Sequence, residues 1–464
     1  MFRFKKYLKR AAALLGTAAL LVSSPIQTFA ALSSTGSVVS SVDTSSTTWP
    51  SAPDVSAGSC ILIDADTGSI LYEKNAYEKC YPASTTKILT GLLTIENCSM
   101  SDIVTFSKEA VESVNITEDA NLGTKEGEQY TVEQALYGML LYSANEIAYG
   151  LAEHVAGDLE SFVDMMNAKA AEVGALNTHF ANASGLYDEN HYTTAYDMAM
   201  IARACYNNAT FVSIDSTYTT YTIPATNKTD TARTFKHRHK MLYGREYYYE
   251  YCKGGKTGFT DESQYTLVTF AEKDGMRLIC VTFQEPDDAS RFVDTKALFE
   301  WGFENFTKTT TSSSNISSLL TNDTIYTSDV FTSRALNYNL TASFITIPNS
   351  GSSSDVTVAI DDNYDLTNDN GDLTVHLKYL FGENVVGTTT LTISSNDSTN
   401  TSLLPYLEES DSSSNYTAKK CLRINLWILL GVIAFAIILA FVIKNYNSNS
   451  RRRRRHASKR KLRF

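Results

Sequence analysis

The period of apolar and polar positions changes several times along the chain, and the changes divide it into segments. SCILIDADTGSILYEKN (59–75) reads as two strands around Asp-Thr-Gly, a hairpin signal. Helical spacing of apolar residues follows over 84–97, then over 131–157, 161–175 and 196–207. From about 210 the character changes to strands, in YTTYTIPAT, KTGFTDESQYTLVTFAEKDG and MRLICVTF. The last two flank Lys-Asp-Gly (273–275), a hairpin turn. ASRFVDTKALFEWGFENF (289–306) is helical again. A helical block inserted between strands of one antiparallel sheet predicts an α+β domain over 53–306.

Polar spacers bracket that domain. Residues 31–52 and 307–318 are Ser/Thr-rich and predict linkers. Between 319 and 396, runs such as SDVTVAI and TTTLTIS predict a small β-rich, sandwich-like domain, read as a stalk. A second polar spacer covers 397–422. LWILLGVIAFAIILAFVI (426–443) is 18 apolar residues without a charge, and as a helix it would span roughly 27 Å, about the thickness of a bilayer core. At the other end, a basic stretch, an apolar run and small residues near 28–32 predict a cleaved secretory signal over 1–30. RRRRR (451–455) lies in a basic tail at 444–464, so positive-inside logic places the tail in the cytoplasm and the domain on the extracellular face of a single-pass membrane anchor.

Charge narrows the partners. The formal net charge is −11, yet residues 1–30 hold five basic groups and 421–464 hold eleven, with no acid in either stretch. The part between keeps 24 of the 40 basic groups against all 51 acidic ones. So acidic a domain is a poor polyanion binder, and nucleic acid is not an expected partner. Seven cysteines show neither a CxxC pair nor a Cys/His cluster at zinc spacing, and no metal or cofactor motif is readable. Cys60 and Cys280 read as buried strand residues, and a Cys80–Cys252 bridge is conceivable.

Three short motifs carry the candidate chemistry. In YPASTTKILT, Ser84 and Lys87 fall on one face of a first helical turn, where a desolvated lysine could take the proton from a serine hydroxyl. A helix cap is the commoner role for such a serine, and Ser-x-x-Lys recurs at Ser458 in the basic tail. Ser143-Ala144-Asn145 interrupts the apolar run LYGMLLYSANEIAYGLA. Its hydroxyl could pass a proton, and its amide could orient a lysine or hold a carbonyl, though a satisfied polar pair in a helical core is the plainer reading. Lys256-Thr257-Gly258 opens a strand, where Lys and Thr could bind a carboxylate and the glycine keeps the edge bare. Taken singly each is weak. Their order, Ser-x-x-Lys, Ser-x-Asn, Lys-Thr-Gly, is the signature of penicillin-binding proteins and serine β-lactamases.

With these motifs and LIDADTGSILYEKNA, FVDMMNAKAAEVG and THFANASGLYDENHYTTAYDMAMIAR, the chain resembles low-molecular-mass penicillin-binding proteins, serine-type D-alanyl-D-alanine carboxypeptidases of the peptidase S11 type. The resemblance implies a transpeptidase-type α+β domain. It makes Ser84 the acylated nucleophile, Lys87 the base, Ser143 a proton relay and Asn145 the group that positions Lys87 and the substrate amide. Lys256 and Thr257 would bind the terminal carboxylate beside Gly258. The backbone N–H groups of Ser84 and Phe259 would make the oxyanion hole, and Arg291 would assist carboxylate binding. The implied substrates are peptidoglycan stem peptides ending in D-Ala-D-Ala, with β-lactams as covalent inhibitors, no cofactor and no metal. The expected process is cell-wall remodelling and cell shape.

Three alternatives stay open on the sequence. A DD-endopeptidase shares every motif. A β-lactamase would need a glutamate-activated water, and EVGALN (172–177) has the wrong spacing for that loop. A wall-binding or β-lactam-sensing protein without turnover would fit the single span, but the tail of about 20 residues is short for a signalling domain.

Overall fold

The computed structural model describes residues 48–311, 336–341, 343–361, 367–369 and 372–395. The export signal at 1–30, the spacer at 397–422, the apolar segment 426–443 and the basic tail lie outside the described residues. Among the described residues no helix is long and apolar enough to cross a membrane.

An antiparallel sheet forms the centre, from strands β1 (Ser59–Asp64), β2 (Ile70–Lys74), β7 (Cys252–Thr260), β8 (Gln264–Lys273) and β9 (Met276–Glu285), in the order β2-β1-β9-β8-β7. The short pairs β3 (Ile103–Thr105) with β4 (Gln129–Thr131), and β5 (Tyr221–Ile223) with β6 (Arg233–Phe235), lie in the inserted block. Both predicted hairpins are present: Ile63 pairs with Ile70, and Lys273 pairs with Met276 around a two-residue turn. Both turn residues there, Asp274 and Gly275, have positive φ, as the tight hairpin turn demands.

Period-two alternation sorts the sheet's side chains onto two cores. Ile61, Ile63, Val268, Phe270, Ile279 and Val281 face the helical block, whereas Cys60, Leu62, Leu267, Leu278 and Cys280 face the opposite side. That side is covered by helix α8 (Ser290–Asn305), through Phe292, Leu298 and Phe299. The block holds α1 (Lys87–Asn97), α2 (Lys108–Glu112), α3 (Val132–Tyr142), α4 (Asn145–Ala156), α5 (Leu159–Glu172), α6 (Ala195–Tyr206) and α7 (Ala209–Asp215). Helix α1 is buried along most of its length, from Lys87 to Thr94, and therefore lies inside the block.

Several expectations are corrected. The helical run predicted over 131–157 is two helices, broken at Ser143 and Ala144. Strand character expected from about 210 gives way first to α7, because the Asn208 side chain accepts the Phe211 N–H at 3.0 Å and caps a helix there. The linker read at 307–318 begins as a strand, β10 (Phe306–Thr310), which pairs with β12 (Phe344–Pro348). The end of the linker read at 31–52 is docked: Trp49 Nε1 donates to Leu71 O, and Trp301 Nε1 donates to Ser51 O. Cys80 and Cys252 are both free thiols, so no bridge joins them.

The expected β-rich region contains a second sheet of strands β11 (Leu336–Leu340), β13 (Val356–Ile360), β14 (Thr367–Asp369), β15 (Asp372–Phe381) and β16 (Asn384–Ser395). Beside it, Thr346 on β12 sets its Oγ1 3.1 Å from Thr67 Oγ1 of the first domain, and Trp49 packs against the apolar cluster that includes Ile345 and Ile347.

Candidate active site

The chain enters α1 through a turn of 3-10 helix, Ala83–Thr86, that starts after Pro82. Neither that turn nor α1 takes a side-chain cap, so the Ser84 hydroxyl is free of the role a serine usually plays at such a place. Ala83 instead adopts φ +48, a left-handed conformation that costs an alanine about 1–2 kcal/mol and turns the chain sharply into Ser84.

Lys87 lies one turn on, fully buried. Its Nζ stands 3.0 Å from Ser84 Oγ, 2.6 Å from Asn145 Oδ1 and 2.5 Å from Ser184 O. Burial penalises the charged amine, and the Arg238 guanidinium adds repulsion. Together, against the opposing pull of Glu146 and Asp119, they bring the Lys87 pKa down to about 7. An amine held near neutrality beside a hydroxyl can accept its proton at ordinary pH.

The break between α3 and α4 delivers the second motif. Ser143 has φ +71 and ψ +26, and its N–H returns to Met139 O, so a non-glycine residue occupies a left-handed helix C-cap. The turn aims Ser143 Oγ at Lys256, whose Nζ donates to it at 2.9 Å, and it places Asn145 at the first position of α4. Asn145 is anchored through its own N–H to Ala120 O at 2.8 Å.

Lys256, Thr257 and Gly258 lie on β7, the outer strand of the central sheet. Lys256 is buried and also donates to Thr257 O at 2.8 Å. Burial, then repulsion from Lys87 and Arg238, hold its pKa well below the usual lysine value, against attraction from Asp215. A Cβ on Gly258 would come within 2.9 Å of Ser84 N, so the glycine is what lets the strand approach the serine's backbone. Phe259 is half-exposed and packs on Tyr265, with a ring separation of 4.5 Å.

The structure thus joins Ser84, Lys87 and Asn145 in one hydrogen-bonded group and Ser143 with Lys256 in a second, with the two lysines close enough to repel and Thr257 and Gly258 beside Lys256. Arg291 stands differently: its Nη1 donates to Gly258 O at 2.9 Å and Thr266 O at 3.1 Å, and its Nη2 pairs with Asp288. Those contacts tie β7 to β8 through one carbonyl of each strand.

Other participants were not singled out from the sequence. The loop carrying Ser184 wraps behind Lys87: Asn182 Oδ1 accepts the Gly185 N–H at 2.7 Å, and Ala181 N–H donates to His191 Nδ1 at 3.1 Å. That second bond leaves the ring proton on Nε2, 2.8 Å from Thr86 Oγ1. Gly185 has φ +83, and a Cβ there would meet Ala83 O at 1.8 Å. Gly185→Ala is therefore expected to cost about 2–4 kcal/mol. Thermal unfolding checks this, and an unchanged melting temperature would refute the packing argument.

Under β7, Asp215 and His237 are both buried, 3.4 Å apart. The His239 N–H donates to His237 Nδ1, which leaves the His237 ring proton on the nitrogen facing Asp215. The signal in the sequence was only a histidine pair in KHRHKM, with no indication of what it packs against.

The chain is similar to several known proteins. The D-alanyl-D-alanine carboxypeptidase DacF of Bacillus subtilis is 34% identical over 259 residues, 54% of this chain and 63% of that protein. The D-alanyl-D-alanine carboxypeptidase of Streptomyces sp. strain K15 is 30% identical over 261 residues, which cover 88% of its length. The crystal structure of the Streptomyces K15 DD-transpeptidase superposes with a TM-score of 0.52 at 28% identity, covering 55% of this chain and all of that one. Penicillin-binding protein 6B of Escherichia coli shares the fold at 23% identity, with a TM-score of 0.54 over 73% of this chain and 96% of that one. The chain covers less than two thirds of DacF. The match to the family profile described as D-alanyl-D-alanine carboxypeptidase runs from 46 to 287, just over half of the 464 residues, and takes in all three motifs. By that match the chain belongs to the D-alanyl-D-alanine carboxypeptidase family, peptidase S11.

Proposed function

We propose that this protein is a serine-type D-Ala-D-Ala carboxypeptidase that removes the terminal D-alanine from peptidoglycan stem pentapeptides. The observation that carries the reading is the position of the Lys87 amine, which is buried between Ser84 Oγ and Asn145 Oδ1 and has a pKa brought down to about 7.

In this mechanism Ser84 Oγ attacks the carbonyl of the penultimate D-alanine as its proton passes to Lys87. The oxyanion forms against the backbone N–H groups of Ser84 and Phe259. Collapse breaks the peptide bond, the leaving amine takes a proton through Ser143, and free D-alanine departs. Water then hydrolyses the ester on Ser84, with Lys87 again as base. Lys256 and Thr257 hold the substrate's terminal carboxylate, and Gly258 leaves the β7 edge open for the peptide backbone. Arg291 supports that edge by holding the carbonyls of Gly258 and Thr266. A β-lactam would acylate Ser84 by the same attack.

The reading extends to place. The leader at 1–30, the apolar 426–443 segment and the RRRRR tail support an exported enzyme anchored by one C-terminal span, with the β-rich, sandwich-like module as its stalk at the membrane's outer face.

Purified full-length protein incubated with diacetyl-Lys-D-Ala-D-Ala is expected to release D-alanine. Failure to do so, with cleavage of cross-linked muropeptides instead, would replace the carboxypeptidase reading with an endopeptidase. The carboxylate site has its own test. Removing the buried Asp215 carboxylate under β7 takes away an attraction that favours protonated Lys256, so Asp215→Asn is expected to raise KM, with a smaller effect on kcat. On a peptide amidated at its C-terminus the KM difference between wild type and variant should vanish; an equal loss on both substrates would count against the assignment.

A further inference from the structure

We propose that Cys98, Asp102 and His154 form a binding site for a zinc-class divalent metal, which clamps together the far ends of α1 and α4. The donor atoms of these three side chains lie within 4.8 Å of one another. They come from three different places in the chain. Cys98 is the residue that ends α1, its N–H on Thr94 O at 3.0 Å. Asp102 follows in the next turn, and His154 sits in the last turn of α4. A run that spaces two ligands four residues apart and the third 52 residues later has no sequence signature, and only the packing of α1 along α4 unites them.

Asp102 is held ready for such a role. Its Oδ2 accepts the Ser99 N–H at 2.9 Å, its own N–H donates to Ser99 O, and its carbonyl accepts the Val132 N–H. The turn is fixed on both sides, which holds the carboxylate in place beside the cluster. A thiolate, an imidazole and a carboxylate make the mixed S, N, O set that suits a borderline-soft ion with a tetrahedral preference, with water as fourth ligand. Metal–ligand bonds of about 2.0–2.3 Å put tetrahedral donors roughly 3.5 Å apart, so side-chain rotation closing about 1 Å completes the site.

The position separates this site from the chemistry. Helix α1 begins with Lys87 and α4 begins with Asn145, and these two residues meet at the catalytic end. Cys98 and His154 lie at the opposite ends of the same two helices, roughly 14–16 Å away along the axis. A metal there would fix the two helices relative to one another without touching substrate.

Untagged full-length protein titrated with zinc chloride is expected to bind one equivalent at micromolar or lower Kd, with a rise in melting temperature of about 5 °C near 100-fold saturation. Cobalt(II) in its place should give the intense near-ultraviolet band of a thiolate ligand, a readout that needs no variant. Cys98→Ser should remove that band, and Cys98→Ser or His154→Ala should weaken zinc binding at least tenfold. Absence of stoichiometric binding in the wild-type chain would overturn the proposal. So would a thiolate band that survives Cys98→Ser, which would assign the metal to another cysteine.

Discussion

Ser84→Ala protein is expected to release no measurable D-alanine and to take up no labelled penicillin, a loss of at least about 10⁴-fold, while melting close to the wild type. The size follows from the mechanism. Without Oγ no acyl-enzyme forms, and the remaining oxyanion donors and carboxylate site can only bind. The small effect on stability follows from the same geometry: Ser84 caps no helix, and its removal leaves Lys87 with two other partners, Asn145 Oδ1 and Ser184 O. D-alanine release and gel fluorescence with labelled penicillin measure the two activities separately. Retained labelling in Ser84→Ala would move the nucleophile elsewhere and remove the basis of the proposed function.

The second large effect concerns Lys87. Acylation by a β-lactam is expected to accelerate as pH rises through about 7, because only the neutral amine can accept the serine proton. Lys87→Gln should slow acylation by about 10²–10⁴-fold and flatten that limb of the profile. Stopped-flow acylation across pH 5–9 checks both, and a limb that persists in Lys87→Gln would assign the base to another group. The same burial has a cost for folding. A lysine with its pKa lowered from 10.5 to about 7 leaves the unfolded chain holding more protons between those values. Stability therefore bears the full penalty below about pH 7 and regains it as pH rises toward 10.5.

Much of this was legible in the sequence because the chemistry is local within each motif. Ser84 and Lys87 are one turn apart, so helical spacing alone sets them on one face, and Gly258 announces a bare strand edge by lacking a side chain. The sheet was legible as short apolar runs bounded by turn residues, since a strand buried on both faces, as at Cys60, Ile61, Leu62 and Ile63, is apolar throughout. What was hidden depends on residues distant in sequence. Nothing in SANEIAYGLA says that Ser143 stops a helix, because Leu, Tyr and Ala favour its continuation and tertiary anchoring of Asn145 by Ala120 overrides them. Ser184 acts through its carbonyl, which every residue has. Asp215 meets His237 only because α7 exists, and α7 falls where strand character was expected from about 210. Arg291 was read through resemblance as a substrate contact, and its guanidinium is turned to the carbonyls that hold the strand.

The left-handed Ser143 has a consequence for anyone who breeds this protein for robustness. Glycine would relieve that backbone of about 1 kcal/mol, and a selection that scored only survival on heating would reward the exchange. The survivors would keep their fold and their serine at position 84, yet they would have discarded the hydroxyl that sits on Lys256. Heat tolerance and turnover therefore pull this one position in opposite directions, and a library screened for the first should be counter-screened for the second.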